Sequence, residues 1–264
     1  MREFWLSSVV SLMAWRAVSS SVFLINLDRS PERLARIDQQ LRSLDVAYTR
    51  VPGVDGRFLD PALRSAPRGN EWYFRPMENG DIGTYQSHRV CWQRVLDEGL
   101  DWAIVLEDDV VLAPTFREVP AAIAQLPQDW DLVKLSKGWR RRKTWRLGRA
   151  GEFDVVAFYK IPAGTQGYAV SRRGAERLLR GQRRIMRPVD IDMQCWWETK
   201  VEVVGLDPFP VSEAPGTASE AWRFDRRKKR RLTRMAFAFT FWLHNLGSWC
   251  RVRGQRRRWR AAAA

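Results

Sequence analysis

The sequence is poor in the residues that build disulfide frameworks and histidine-rich metal sites. Its 264 residues include three cysteines and two histidines. The cysteines show no CxxC spacing, so they give neither a zinc motif nor a disulfide framework, and a reducing compartment is the simplest interpretation. The histidines are too few for a His-based metal site. These five residues are Cys91, Cys195, Cys250, His88 and His244.

The sequence also lacks an apolar run of the roughly 18 residues that a membrane-spanning helix requires. The first twenty residues are moderately apolar, but Arg16 interrupts them, and no charged start, apolar run and small-residue cleavage site follow one another. We therefore expect residues 1–20 to be an extension before the domain. An amphipathic helix and a misassigned start codon are the alternatives.

Acidic residues are nearly absent from the C-terminal part of the chain. From Arg223 onward there are fourteen lysines and arginines but one acid, Asp225, so this part carries +13 of the net charge of +15. The apolar fraction of 45% is ordinary for a globular protein and argues against general disorder. We expect a domain at 21–219 and a separate basic tail at 220–264.

The tail alternates basic and apolar blocks. Basic residues at 226–231 and 251–260 enclose an apolar, aromatic-rich stretch at 235–243. This pattern is typical of an amphipathic helix on an anionic bilayer, where tryptophan favours the interface. Because no nucleic-acid motif is present, we expect an anionic membrane surface and no nucleic acid as the partner. The tryptophans concerned are Trp242, Trp249 and Trp259.

The first part of the domain predicts a strand, a turn and a helix. Residues 22–27 form an apolar run, Ser30 suits a helix N-cap, and Pro31 suits the first helical position. Apolar residues then recur at helical spacing. A similar alternation continues along the chain and predicts an α/β fold, a Rossmann-type sandwich.

Further patterns predict the remaining elements. Residues 83–98 indicate a helix, and residues 155–159 and 168–170 indicate a pair of strands. Residues 57–80 carry several prolines and glycines and predict a long surface loop. Residues 138–149 contain six basic residues and no acid, which predicts a solvated loop that either holds an acidic acceptor or is idle.

Residues 103–109 read Ala-Ile-Val-Leu-Glu-Asp-Asp, an apolar run that ends in three carboxylates. A buried strand would deliver these acids to the rim of the sheet, where open α/β sheets bind ligands. Like charges at this spacing repel, so we expect a hard divalent cation, Mg²⁺ or Mn²⁺, among them. Asp109 is the first candidate ligand together with Glu107, while Glu107 or Asp108 could hold a ribose or a metal-bound water. The alternative is that some of these acids only end the strand.

The end of the first strand is a second candidate region, because nucleotides bind there in open α/β sheets. Asn26, Asp28, Arg29 and Arg33 lie at this point. Arg29 or Arg33 could pair with a phosphate in forked geometry. The alternatives are a solvated helix face for Arg33 and a turn-forming role for Asp28.

Five segments together resemble glycosyltransferase family 25, the lipopolysaccharide and lipooligosaccharide sugar transferases. The resemblance spans roughly residues 22–215, and the order and spacing of the segments make it fairly specific. A mild departure from the family pattern occurs at Thr84-Tyr85. The segments are 22–33, 80–88, 104–110, 164–171 with 174–179, and the weaker 188–190.

The resemblance implies a GT-A-like fold, a nucleotide-sugar donor, a divalent metal and inversion at the anomeric carbon. One-step inversion needs a base for the acceptor hydroxyl. The family places an acid near 188–190, so Asp190 is preferred and Asp192 is the alternative, with a helix cap as the other role for either. Gly164 and Thr165, with Gly167 and Tyr168, would form the floor of the site. His88 could approach the donor or be structural.

The predicted function is therefore metal-dependent transfer of a sugar from a nucleotide-sugar to a glycan or glycolipid acceptor of lipopolysaccharide type or another cell-surface type. We expect this at the inner face of the cytoplasmic membrane, with the protein otherwise cytoplasmic. One alternative is a non-catalytic membrane-surface or nucleic-acid-binding protein with a degenerate transferase domain. A metal-dependent phosphate-ester hydrolase lacks a nucleophile motif.

Overall fold

The computed structural model describes residues 19–65, 77–127, 129–138, 142–181, 185–215 and 231–262. Most of the predicted N-terminal extension, half of the predicted loop at 57–80 and the basic run at 226–230 lie outside these residues. The described helices and strands alternate along the chain, as the sequence predicts for an α/β fold.

The strands, in chain order, are β1 (Ser20–Asn26), β2 (Thr49–Pro52), β3 (Trp102–Glu107), β4 (Val110–Leu112), β5 (Leu132–Lys134), β6 (Thr144–Ala150), β7 (Phe153–Phe158), β8 (Gly167–Ser171), β9 (Val203–Asp207) and β10 (Val211–Glu213). The helices are α1 (Pro31–Ser43), α2 (Pro61–Ser65), α3 (Asn79–Asp97), α4 (Val119–Ala124), α5 (Arg172–Gly181), α6 (Val189–Gln194), α7 (Trp196–Thr199), α8 (Arg231–Leu246) and α9 (Ser248–Ala262). Two 3₁₀ turns lie at Gly56–Phe58 and Pro114–Glu118.

Eight strands form one sheet in the order β2-β1-β3-β8-β5-β9-β7-β6, and β10 pairs with β4 in a small second sheet. The pairings give six strands of the large sheet one direction and reverse β7 and β8. The central strands are buried on both faces, which explains why β3 reads as a continuous apolar run.

Successive side chains of each strand point to opposite faces of the sheet, and two hydrophobic cores follow from this alternation. Leu24 and Ile104 pack with α1 and α4 in one core. Phe23 and Val105 pack with α3, α5 and α6 in the other. The protein is thus a three-layer α/β sandwich, and the predicted fold class is confirmed at this level.

Two predicted elements are wrong. Residues 144–150 of the predicted basic loop form strand β6, which pairs with β7 at the edge of the sheet. Strands β7 and β8 do not pair with each other, because β8 lies between β3 and β5 while β7 lies between β6 and β9. The spacing of strands in a sequence indicates that they exist but not which strand is the neighbour.

Residues 248–262, which the sequence assigns to the tail, pack onto the domain. Trp259 is 7% exposed and belongs to the core on the α1 side of the sheet. Gln255 donates to the Glu202 carboxylate at 2.8 Å, and Arg251 donates to the Phe158 carbonyl at 2.7 Å.

Among the described residues, none of the helices combines the length and apolar character needed to cross a bilayer.

Candidate active site

The chemically informative side chains gather at one edge of the large sheet. β1 ends at Asn26, β3 at Glu107 and β5 at Lys134, and these three strands share one direction. β8 runs the opposite way and therefore begins at this edge, preceded by Thr165. Carboxyl ends of strands in an open α/β sheet are where ligands bind. The sheet thus brings together residues from four segments far apart in sequence.

Asp108 is held by residues of the β1 region. The Asn26 amide donates to one Asp108 oxygen at 2.7 Å, and the Arg33 guanidinium lies 3.4 Å from the other. Burial raises the pKa of Asp108, and the bonds from Asn26 and Arg33 only partly oppose this. Arg50 donates to the Asn26 side-chain oxygen at 3.0 Å, which orients the amide towards Asp108. Asn26 and Arg33 therefore lie at the acid cluster and contact Asp108.

Glu107 is bound through a single oxygen. The Thr165 hydroxyl donates to Oε1, and His88 Nε2 lies 3.3 Å from the same atom. Burial alone would raise the pKa of Glu107, but these two bonds and the Lys134 charge outweigh burial and lower it. Glu107 is therefore ionised at neutral pH, and no described residue donates a hydrogen bond to its Oε2.

A chain of buried aromatic side chains fixes the tautomer of His88. Trp92 Nε1 donates to the Tyr168 hydroxyl at 2.8 Å, and that hydroxyl lies 3.0 Å from His88 Nδ1. Because the indole can only donate, the Tyr168 proton is available to His88 Nδ1. Nε2 then carries the hydrogen and donates it to Glu107. His88 and Tyr168 thus position Glu107 from inside the core, and both are fully buried.

Lys134 links Glu107 to Asp190. Its ammonium is buried and donates to the Gly164 carbonyl, while the Gly164 amide donates to Asp190 at 3.2 Å. Burial lowers the pKa of Lys134 to about 8, although Asp190 and Glu107 oppose the shift. Burial raises the pKa of Asp190, which Gly164 and Lys134 partly offset.

The backbone at Gly164 requires glycine. Its φ is +92°, and a Cβ there would lie 2.3 Å from the Gln166 side-chain oxygen. A side chain would therefore be strained at this position and would crowd Gln166. Gly164 and Thr165, which the sequence analysis assigns to the floor of the site, connect Lys134, Asp190 and Glu107 through hydrogen bonds.

Asp109 is the acid that the protein leaves without a hydrogen-bond partner. Its Oδ1 is enclosed and receives no hydrogen bond from the described residues. Burial and the neighbouring charges of Glu107 and Asp108 raise its pKa to about 7. Glu213 adds a further negative charge, because the Ala214 amide donates to the Asp109 carbonyl at 2.9 Å and brings β10 alongside.

The carboxylates of the acid cluster could hold a divalent cation only as part of a small ligand set. Within the described residues there is no group of three or more His, Cys, Asp or Glu side chains arranged to hold a metal ion. Mg²⁺ is usually held by one or two carboxylates together with substrate phosphates and waters. An unpartnered Asp109 oxygen beside an ionised Glu107 fits that smaller donor set.

Two predicted residues lie at the margin of the cluster. Asp28 is exposed and forms an ion pair with Arg50. Arg29 is bound to Asp55 at 3.1 Å, and Asp55 also caps the turn at Gly56–Phe58. Hydrogen bonds and the charge of Arg57 hold the pKa of Asp55 at about 2, so this pairing persists at neutral pH.

Asp192 is separated from this arrangement by its own partners. The Tyr85 hydroxyl donates to one of its oxygens at 2.8 Å, and Arg187 binds the other. Its pKa is nevertheless raised, because burial outweighs these bonds. Asp192 therefore holds α6 against α3, whereas Asp190 faces Gly164 and Lys134.

Three residues of the site were missed at the sequence level. Lys134 follows two buried strand residues, and a lysine within an apolar strand was the available signal. Arg50 lies in β2 next to β1, and Glu213 lies in β10. Only the strand order places these two beside Asn26 and Asp109, so no local sequence signal could have found them.

Comparison with known proteins agrees with the predicted resemblance. The profile of "Glycosyltransferase family 25 (LPS biosynthesis protein)" matches residues 19–193. This range contains every residue described above at the edge of the sheet except Glu213.

The curated relatives cover a similar part of the chain. "Procollagen galactosyltransferase 1" of Danio rerio is 30% identical over 64% of this chain and 30% of its own length. A "Glycosyltransferase 25 family member" of Aedes aegypti is 31% identical over 61% of this chain and 28% of its own length. "Probable inactive glycosyltransferase 25 family member 3" of Rattus norvegicus is 30% identical over 64% of this chain and 31% of its own length.

The chain therefore spans about 30% of the length of the curated relatives it matches. Because the profile covers well over half of the chain, the family assignment does not depend on the relatives. The match and the α/β sandwich together support a glycosyltransferase, and the resemblance stated from the sequence is confirmed. The chain belongs to glycosyltransferase family 25.

Proposed function

We propose that the protein is a glycosyltransferase that moves a sugar from a nucleotide-sugar donor to a glycan or glycolipid acceptor. The observation that carries this proposal is the family match over residues 19–193, the range in which Glu107, Asp109, Lys134 and Asp190 converge on one edge of the sheet. The strand order and the acids at the end of β3 are consistent with a GT-A-like arrangement.

The proposed acceptor rests on the description of the matching family and on the basic side chains of strand β6. The matching profile is described by lipopolysaccharide biosynthesis, and one relative is named for procollagen. We propose a lipopolysaccharide-type or other cell-surface glycan for this chain. The exposed basic side chains of strand β6, such as Arg146 and Arg149, provide positive charge for an acidic acceptor.

Donor binding would use the edge formed by β1 and β3. The contact of Arg33 with Asp108 is long, at 3.4 Å, and the Arg33 side chain is 37% exposed. Its guanidinium can therefore turn to bind a diphosphate. Asp109, with Glu107, would hold Mg²⁺ or Mn²⁺. When bound, such an ion neutralises the charge of a departing diphosphate. Asp108 and Asn26 are fixed to each other and would define the nucleotide-binding wall.

Asp190 is the proposed base for the acceptor hydroxyl in an inverting transfer. Burial raises its pKa, which makes it a better proton acceptor, while the Gly164 amide and the Lys134 charge favour its ionised form and partly oppose this shift. The Lys134 charge attracts both Asp190 and Glu107, so it offsets part of the repulsion between these two carboxylates.

Replacing Asp190 or Asp192 by asparagine should separate catalysis from stability. Asp190→Asn should lower kcat about 10²- to 10⁴-fold, because a general base is lost. Asp192→Asn should cost about 1–3 kcal/mol in unfolding free energy, because it removes one of the two carboxylates that pair with the largely buried Arg187 guanidinium. Urea unfolding and initial rates measure the two effects. Equal activity of wild type and Asp190→Asn would refute the assignment of the base.

A membrane-facing role is proposed for α8 and the start of α9. Six large apolar side chains are exposed there and recur at helical spacing. Arg253 lies over the Trp249 ring at 5.0 Å, so a basic side chain adjoins the apolar surface. This combination fits an anionic bilayer at the inner face of the cytoplasmic membrane. The apolar residues are Met235, Phe239, Trp242, Leu243, Leu246 and Trp249.

The double substitution Phe239→Ser with Trp242→Ser should weaken binding to anionic vesicles at least about tenfold, because two apolar side chains no longer enter the interface. Both residues are exposed, so the melting temperature should stay unchanged. Co-sedimentation with phosphatidylglycerol vesicles measures the effect. Phe58→Ser, at an exposed phenylalanine outside the helix, is the control. Undiminished vesicle binding would contradict the membrane role.

The function itself is tested with a panel of nucleotide-sugars and Mn²⁺ or Mg²⁺. We expect hydrolysis or transfer with at least one donor, and a nucleoside-diphosphate-dependent rise in melting temperature that requires the metal. No turnover and no thermal shift with any nucleotide would favour the non-catalytic alternative.

A further inference from the structure

A second cleft lies at the opposite edge of the sheet from Glu107. It has a volume of about 350 Å³ and is formed by α5, residues 196–202 and α9, near the starts of β5 and β9. It therefore lies where the C-terminal helix meets the domain. Its lining residues are Asp129, Arg173, Arg177, Trp196, Lys200, Val201, Glu202, Arg251 and Arg258.

The cleft carries an excess of positive charge. Its lining includes five cations and two carboxylates, and buried Asp131 behind it binds both Arg173 and Arg177. Five cations and three carboxylates leave a charge of +2. Arg258 is paired with Glu202 at 2.9 Å.

The excess positive charge of the cleft lies on two side chains. Lys200 and Arg251 form no ion pair with a carboxylate of the described residues. Lys200 directly follows α7, whereas Arg251 lies in α9, and both side chains line the same cleft. An anion between them would be attracted from both walls.

Three buried donors of the cleft lack a partner. Nε and Nη1 of Arg251 and Nε1 of Trp196 are enclosed and form no hydrogen bond within the part of the chain that the structure describes. Arg251 uses only Nη2, which donates to the Phe158 carbonyl, and its guanidinium lies 5.2 Å from the centre of the Trp196 ring. Buried donors without acceptors are costly and rare in folded proteins.

Arg251 stays charged in this position. Burial lowers its pKa to about 10, which still leaves the guanidinium protonated at neutral pH. The site therefore offers a charged guanidinium, three donor nitrogens without a partner among the described residues, and the exposed ammonium of Lys200. A ligand with two negative charges and several acceptor oxygens satisfies all of them.

We propose that this cleft binds a phosphate group, as inorganic phosphate or as a phosphomonoester, between Arg251, Lys200 and Trp196. Bound there, the phosphate joins α9 to residues 196–200 and stabilises the packing of the C-terminal helix. The site is separate from the donor site, because it lies at the other edge of the sheet.

The test is thermal unfolding of the full chain in increasing inorganic phosphate, with chloride at matched ionic strength as the reference. Phosphate should raise the melting temperature of the wild type, because a ligand that binds the folded state stabilises it. It should also slow amide hydrogen exchange within 248–262. Absence of a phosphate-specific shift overturns the proposal.

Variants locate the binding. Arg251→Gln should raise the apparent Kd for phosphate at least about tenfold, since it removes a desolvated charge contact. Lys200→Gln, at an exposed residue, provides a second variant that should fold normally. Arg256→Gln, at an exposed arginine of the same helix outside the cleft, and Asp109→Asn at the donor site should keep the full phosphate response. An unchanged response in both Arg251→Gln and Lys200→Gln overturns the proposal.

Vesicles distinguish the two sources of phosphate. If a lipid supplies the monoester, Arg251→Gln and Lys200→Gln should weaken binding to phosphatidate vesicles more than to phosphatidylglycerol vesicles. If both lipids bind these variants as they bind the wild type, while the soluble phosphate response is lost, the ligand is a free phosphate.

Discussion

Replacing Asp109 by asparagine should lower the rate of sugar transfer at least about a thousandfold, since electrostatic stabilisation of the leaving group is usually a large catalytic contribution. Asp109 is the acid whose Oδ1 no described residue satisfies, whereas Asp108 is bound by Asn26 and Glu107 by Thr165. Initial rates with the active donor, with and without Mn²⁺, measure the effect. Asparagine has nearly the shape of aspartate but no charge, so the variant tests the charge of Asp109 alone.

The protein should remain folded in this variant. The substitution removes one of several neighbouring negative charges, so the melting temperature without metal should stay equal or rise. Asp97→Asn, at an exposed aspartate that ends α3 and, among the described residues, accepts a hydrogen bond only from Gln93, is the matched control and should retain full activity. Full activity of Asp109→Asn would contradict its assignment as a ligand of the metal.

Replacing Trp259 by alanine should destabilise the protein by about 3–5 kcal/mol, the usual cost of truncating a buried tryptophan. Trp259 is 7% exposed and packs in the core on the α1 side of the sheet, although it lies almost at the end of the sequence. Urea unfolding followed by circular dichroism measures the change. Loss of this side chain leaves a cavity that the sheet cannot close.

Trp249→Ala in the same helix is the matched control. Trp249 is 53% exposed, so its replacement should change the unfolding free energy by less than about 0.5 kcal/mol. The packing of α9 also predicts the effect of truncating the chain. Removing residues 223–264 should impair folding as well as membrane binding, because α9 also binds Glu202 and Phe158. Equal stability of the two tryptophan variants would show that α9 is not part of the domain.

Local patterns predicted part of the fold well. Pro31 begins α1, and the apolar run before it forms β1, because the fixed φ of proline and apolar spacing act within a few residues. Ser30 occupies the N-cap position, but its side chain forms no capping hydrogen bond. The acids at 107–109 lie at the end of β3 for the same reason: an apolar run long enough for one buried strand must end where charges begin.

Other features depend on contacts between distant segments. The placement of β8 between β3 and β5 brings Thr165 to Glu107, and the pairing of β10 with β4 brings Glu213 beside Asp109. The different environments of Asp190 and Asp192 also arise in this way. Asp190 accepts from the Gly164 amide and Asp192 accepts from the Tyr85 hydroxyl, although a single residue separates them in sequence.

The sequence by itself determined the α/β class, the acid cluster at a strand end and the family. It could do so because periodicity, turn chemistry and motif order are local or linear properties. Only the tertiary structure decided that the Lys134 charge acts on both Glu107 and Asp190, that Asp109 is the unpartnered acid among the described residues, and that α9 packs onto the domain. Each of these depends on which strands and helices become neighbours, and that is set by the summed packing free energy of the whole chain.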